Sequence, residues 1–223
     1  MQKSRIKKHL AAFASLALLT IFPFVSCEKE NPDNTGTESQ ENTENTQPQE
    51  GNTDSGKVLI VYYSYTGHCE EIVTALSSNL EKADILRIKE ADENADYNAN
   101  GYKLGSDMIN AINKAPDQAS SYPAIKDVDK KAEDYDTIIV VTPLWHSRMA
   151  AIMQAYLFQN RAKMKGMNIG LVVSSASSGI SGVESDAKRL LPDGKFYGSS
   201  LWINHQNHSK RASLVKDWLE NNL

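Results

Sequence analysis

Val58-Leu-Ile-Val-Tyr-Tyr-Ser-Tyr-Thr-Gly-His-Cys-Glu-Glu-Ile72 decides how this chain folds. The apolar run reads as a buried strand over Lys57 to Ser64. A Ser/Thr/Gly turn follows, and from Gly67 to Leu80 the residues Ile72, Val73, Leu76 and Leu80 recur on one helical face. A strand that runs straight into a helix brings the first N–H groups of that helix to the turn. These groups have no intrahelical partner, and the helix dipole is positive there. The hydroxyls of Ser64, Tyr65 and Thr66 converge on the same point. An anion is favoured at such a place, and a phosphate is the natural occupant. Taken alone, the turn also fits a simple helix start in which Glu70 and Glu71 complement the dipole.

Beyond this unit the chain keeps alternating. Ala83 to Ile88 reads as a short strand, and Tyr102 to Ala115 as a helix stopped by Pro116. Thr137 to Thr142 is apolar almost throughout, the mark of a central parallel strand. Ala150 to Asn160 is a helix, Met167 to Ser174 a strand, and Gly182 to Leu191 a helix ended by Pro192. Phe196 to Ile203 is a fifth strand and Ser209 to Asn221 a last helix. Five strands alternating with helices predict an α/β fold, a doubly wound five-stranded parallel sheet in the order 2-1-3-4-5. Such sheets bind ligands beyond the carboxyl ends of their strands. Three unusual loops fall there: Ser64 to Cys69, Pro143 to Met149, and Ser174 to Gly182.

The residues before Lys57 read differently. Lys3, Arg5, Lys7 and Lys8 precede an apolar stretch, Leu10 to Val25, which is short for a membrane span and ends at Phe24-Val25-Ser26-Cys27. Residues 1–26 resemble a bacterial lipoprotein signal, with Phe24 in place of the usual Leu. That resemblance implies cleavage and a lipid on Cys27, hence an exported chain anchored to a bacterial membrane. Residues 27–56 are rich in Asn, Thr, Gln and Glu and have no large apolar side chain. They predict an acidic, disordered linker that holds the domain over 57–223 off the membrane. With Cys27 lipidated, Cys69 has no partner for a disulfide.

The formal charge of the whole chain is −4. The leader contributes four basic residues, and the linker eight acidic residues against one basic, so the domain is left near −1. That value offers nothing to nucleic acid.

The three loops resemble those of flavodoxins, and the similarity covers essentially all of Lys57 to Leu223. In that family a Ser/Thr-x-Thr-Gly-x-Thr turn holds the phosphate of FMN. The corresponding residues here are Ser64, Tyr65, Thr66, Gly67, His68 and Cys69. A Pro-x-Trp motif covers the isoalloxazine ring, matched by Pro143, Leu144 and Trp145 and followed by His146. A Ser/Gly-rich fourth-strand loop wraps the other edge, matched by Ser174, Ser175, Ala176, Ser177 and Gly179. The chain looks like a lipoprotein-type branch whose third loop reads Pro-x-Trp-Trp-Gly.

The resemblance implies an FMN-dependent protein that transfers electrons to a partner protein or reduces a small quinone-like acceptor. No acid–base dyad is required, because the cofactor carries the electrons. His146 is the one candidate for proton transfer. The departures are Cys69 for a Thr, His146 for an aromatic and Ser147 for a Gly. They motivate the alternative of a non-catalytic module that has kept the fold, lost FMN and binds a partner around Trp145. Three further side chains stay open. Cys69 at a helix start fits either a redox thiol or a small residue filling a small site. Arg148 fits an anionic substrate or a helix cap. His205 and His208 read as hydrogen-bonded loop residues, and the histidine spacing is not that of a metal site.

Overall fold

In the computed structural model, which describes residues 56–223, β1 (Val58–Tyr62) lies between β2 (Asp84–Arg87) and β3 (Thr137–Trp145), parallel to both. The expected leader, the lipidated Cys27 and the linker up to residue 55 lie outside the described residues. Next to β3 runs β5 (Asn168–Ser175), and the fifth position is shared by β6 (Lys195–Phe196) and β7 (Leu201–Asn204). The predicted strand order, 2-1-3-4-5 by position, is the one observed.

Alternation along β1 explains the layers. Leu59, Val61 and Tyr63 face one way, into a core shared with α2 (Ala99–Lys114), α3 (Ala151–Asn160) and α4 (Ser181–Leu190). Val58, Ile60 and Tyr62 face the other, into a core shared with α1 (His68–Ser77) and α5 (Arg211–Asn222). Both faces are covered, as a continuous apolar run in a parallel sheet requires. Gly170 on β5 has a packing reason to be glycine. A Cβ there would lie 2.7 Å from the Trp218 ring, which lies across the strand.

Three elements depart from the expected boundaries. The fifth strand is two strands rather than one: the Tyr197 N–H still donates to the Ile169 carbonyl (3.0 Å), and residues 198–200 leave the ladder. The Ser199 carbonyl accepts from Trp218 Nε1 (2.8 Å), and Ser200 Oγ donates to Glu184 (2.8 Å). The helix assigned from Ala99 is interrupted by left-handed Asn100, Gly101 and Tyr102 (φ 50°, 63° and 64°), so its regular part begins near the expected start. Finally, β3 runs past Thr142 to Trp145 and turns back as β4 (Arg148–Met149). The expected loop is a hairpin.

Candidate functional site

Gly67, with φ 92°, ends the turn after β1 and stands as the cap of α1. It has no side chain to offer the first turn, and no side-chain cap bond is made there. Its own N–H donates to Ser64 Oγ (3.1 Å), and the first α-helical bond runs from the Glu71 N–H to its carbonyl (3.1 Å). Ser64 therefore closes the turn from a buried position. The helix start opens onto a cleft of about 870 Å³ at the carboxyl edge of the sheet.

The two helical layers furnish different walls. On the α2 side the wall is aromatic. Trp145 meets Tyr63 edge-on (centroids 5.5 Å apart) and Tyr97 at a tilt of 43° (4.7 Å), and Tyr97 in turn meets Tyr65 edge-on (5.2 Å). Gly105 of α2 lies against the indole, where a Cβ would be 3.5 Å from the ring. Asn98 Nδ2 donates to Tyr65 Oη (3.1 Å), tying the segment before α2 to the turn after β1. Burial, with a smaller push from Glu90, raises the Tyr97 phenol to about 12.

The α1 and α5 side carries the polar wall: Thr66, His68, His208, Ser209 and Arg211. Ser175, Ala176, Asn204 and His205 close the remaining edge. There the His205 N–H donates to the Ala176 carbonyl (3.0 Å), and Trp202 Nε1 donates to Ser175 Oγ (2.8 Å). The β5 and β7 loops thus act as one rim.

The hairpin that carries Trp145 is tightly held. His146 and Ser147 both have positive φ (49° and 63°), as a two-residue type I′ connection requires. The Ser147 carbonyl comes so close to Gly182 that a Cβ on Gly182 would overlap it. Arg148 is neither an anion receptor nor a helix cap. Its guanidinium grips the buried Asp186 of α4 with two nitrogens, the Nε contact being 3.0 Å.

Of the residues singled out from sequence, Tyr65, Thr66, His68, Pro143, Leu144, Trp145, His146, Ser174, Ser175 and Ala176 line the cleft. Ser64 and Gly67 shape the turn behind it. Ser177 and Gly179 sit farther out on the exposed β5–α4 loop. Cys69 is the clearest correction. Its side chain points into the core beside Ser174, is 1% exposed, and burial pushes its thiol up rather than down. The small-residue reading therefore holds, and the redox-thiol reading does not.

Sequence reasoning missed Tyr97, Asn98, Tyr102, Gly105 and Arg211. The first four come from the long stretch after the second strand, which has little periodicity. Its signal was the spacing of Tyr97 and Tyr102 among small polar residues just beyond a strand end.

The comparisons agree with this architecture. A flavoprotein of Lactobacillus acidophilus, solved in complex with FMN, superposes with a TM-score of 0.55 at 19% identity, covering 70% of this chain and 99% of that one. A Bacteroides eggerthii protein solved as a candidate flavoprotein gives 0.58 at 21% identity, covering 74% and 96%. Among curated proteins, an NAD(P)H dehydrogenase (quinone) of Azorhizobium caulinodans is 27% identical over 171 residues, 71% of this chain and 77% of its own length. One of Gluconacetobacter diazotrophicus is 32% identical over 127 residues, and there the chain spans only 56% of the relative. The flavodoxin family model matches residues 57–222, and with the sheet order and the three loops in place, this chain belongs to the flavodoxin family.

Proposed function

We propose that the chain binds FMN in this cleft and works as a lipid-anchored redox protein outside the cytoplasm, passing electrons to a partner protein or to a small quinone-like acceptor. The observation that carries the reading is the uncapped start of α1 opening onto a cleft whose opposite wall is the indole of Trp145. The residues fit such a group. A nucleotide phosphate needs N–H and hydroxyl donors, and the first turn of α1 with Thr66 has them. A flat ring system needs an apolar cover, and Trp145 is braced by Tyr63, Tyr97 and Gly105. The rim of Ser175 and Ala176 bounds the remaining side.

FMN, when bound, would supply reversible uptake and release of electrons. The protein's part is to hold it, exclude water from its apolar face and place one proton. His146, on the hairpin beside Trp145 and Gly105, is the group that would hold that proton on its imidazole for an acceptor. The names of the two curated relatives favour a quinone-like acceptor.

Purified full-length chain in detergent should be yellow or become so. Stripped of colour, it should quench FMN fluorescence on titration. No binding at high micromolar FMN would overturn the reading in favour of the partner-binding module. The anchor is tested separately: cells fed a labelled fatty acid should label the chain, and Cys27→Ser should abolish the label.

A further inference from the structure

We infer that His68, His208 and Arg211 form a proton-controlled clamp for a doubly charged phosphate, so that nucleotide binding in the cleft takes up a proton. The inference rests on the FMN reading for its natural ligand, but the clamp itself is a property of these side chains.

The geometry is specific. The rings of His68 and His208 meet edge-to-face, centroids 4.8 Å apart. His208 Nδ1 lies 3.8 Å from Glu71 Oε2, and the same oxygen accepts from Arg211 Nη2 at 3.0 Å. Arg211 Nη1 also donates to the His208 carbonyl (3.2 Å), which fixes the guanidinium beside the ring. With Nδ1 turned to Glu71, the nitrogen left over is Nε2. It is buried and has no hydrogen-bond partner among the described residues. A buried polar atom without a partner calls for one. His68, His208 and Arg211 all face the cleft, on the side where α1 starts without a cap.

Charge bookkeeping separates this from a permanently cationic site. Besides His68, Glu71 of α1 and Arg211 of α5 contact His208, and His205 lines the same cleft. Glu70 is engaged elsewhere, with Arg87 of β2 (3.3 Å). Thr66, Ser174, Ser175, Ala176, Asn204 and Ser209, which also line this end of the cleft, are uncharged. Arg211 and Glu71 cancel. The wall is therefore neutral while both imidazoles are neutral, and it becomes positive once they gain protons. A phosphate monoester loses its second proton near pH 6. A bound dianion favours the imidazolium form, so neutral histidine, solvent proton and dianion combine into one paired complex. Among the described residues no group of three or more His, Cys, Asp and Glu is placed to hold a metal ion.

The test is binding, not turnover. Full-length apoprotein is titrated with FMN and with riboflavin, which lacks the phosphate, from pH 6 to 8.5. FMN should bind about fivefold more tightly at pH 6.5 than at 8.5. Calorimetry in buffers of different ionisation enthalpy should register proton uptake, and riboflavin should show neither effect. His208→Gln should cut the ratio below about threefold and leave riboflavin affinity unchanged. His68→Gln, at an exposed position, serves as the second variant should the first fold poorly. Inorganic phosphate is the independent probe, read on the ring resonances of His68 and His208. FMN affinity that is flat with pH would overturn the clamp while sparing the FMN reading. Phosphate-dependent ring shifts without flavin binding would do the reverse. Neither response would overturn both.

Discussion

Arg148 of β4 and Asp186 of α4 form a two-nitrogen ion pair around a carboxylate with no solvent exposure. Asp186 also accepts from the Met149 N–H (3.1 Å) and from Arg189 Nη2 (3.2 Å). Arg189 continues to Gln154 Oε1 (2.7 Å) and Tyr122 Oη (3.1 Å), and Gln154 Nε2 donates to the Met149 carbonyl (2.8 Å). One carboxylate thus fastens the Trp145 hairpin to α3 and α4. Removing one partner of a buried pair leaves the others charged and without compensation. Asp186→Ala should lower stability by about 3–5 kcal/mol in urea unfolding. If the loss is under about 1 kcal/mol, Asp186 does not anchor the hairpin.

The turn of that hairpin stores strain on one side and lacks room on the other. His146 and Ser147 occupy left-handed φ without being glycine, a conformation that costs L-residues roughly 1–2 kcal/mol each. Ser147→Gly should therefore raise stability by about 0.5–1 kcal/mol, the relief being partly offset by greater freedom in the unfolded chain. Gly182→Ala should do the opposite. Its Cβ would strike the backbone carbonyl of Ser147, and a carbonyl cannot swing aside like a side-chain tip. A loss of at least about 1–3 kcal/mol is expected, with weaker FMN binding because the hairpin moves. Thermal unfolding of the two variants side by side checks the signs.

Much of this was legible in the sequence because local and global signals agree. The 58–72 stretch carries a continuous apolar run, turn chemistry and helix period in succession, and its burial follows that pattern. Pro143-Leu144-Trp145 pointed to a site wall through its resemblance to the flavodoxin Pro-x-Trp motif. What stayed hidden depends on distant partners. The Asp186 that claims Arg148 lies 38 residues away. Tyr97 gains its meaning only by packing on Trp145. The Cys69 side chain turns inward because the residue follows Gly67 by two on a helix whose inner face is set by Ile72, Val73 and Leu76. The break in the fifth strand needs Trp218, a side chain of another element, to claim a backbone carbonyl.

The indole and the histidines are expected to affect different parts of a ligand. Trp145→Ala removes the apolar cover and leaves the α1 start intact. Affinity for FMN and for riboflavin should fall together by about tenfold to a hundredfold, in line with the roughly 1–3 kcal/mol lost when an aromatic platform is removed from a stacked base. Parallel fluorescence titrations decide the matter. Loss of FMN affinity with riboflavin affinity retained would show that Trp145 does not cover the ring.

Burial at the foot of the cleft sets an alkaline limit on stability. Burial pushes the Cys69 thiol and the Tyr63 phenol up, and Tyr97 to about 12. In the unfolded chain such groups titrate near 8.5 for a thiol and 10 for a phenol. A group whose folded value is raised contributes fully below its unfolded value, and that contribution is lost as pH climbs towards the folded value. For Tyr97 the window is therefore pH 10 to about 12. For Cys69 the decline begins near pH 8.5, at up to about 1.4 kcal/mol per pH unit. Urea midpoints should thus be flat from pH 7 to 8 and fall above pH 8.5, and Cys69→Ala should delay the onset of the fall towards pH 10. The same burial predicts that an aromatic disulfide reagent at pH 8 leaves Cys69 untouched in the folded protein and modifies it at once in urea. Rapid labelling of Cys69 in the native state would mean that the thiol is not packed against Ser174.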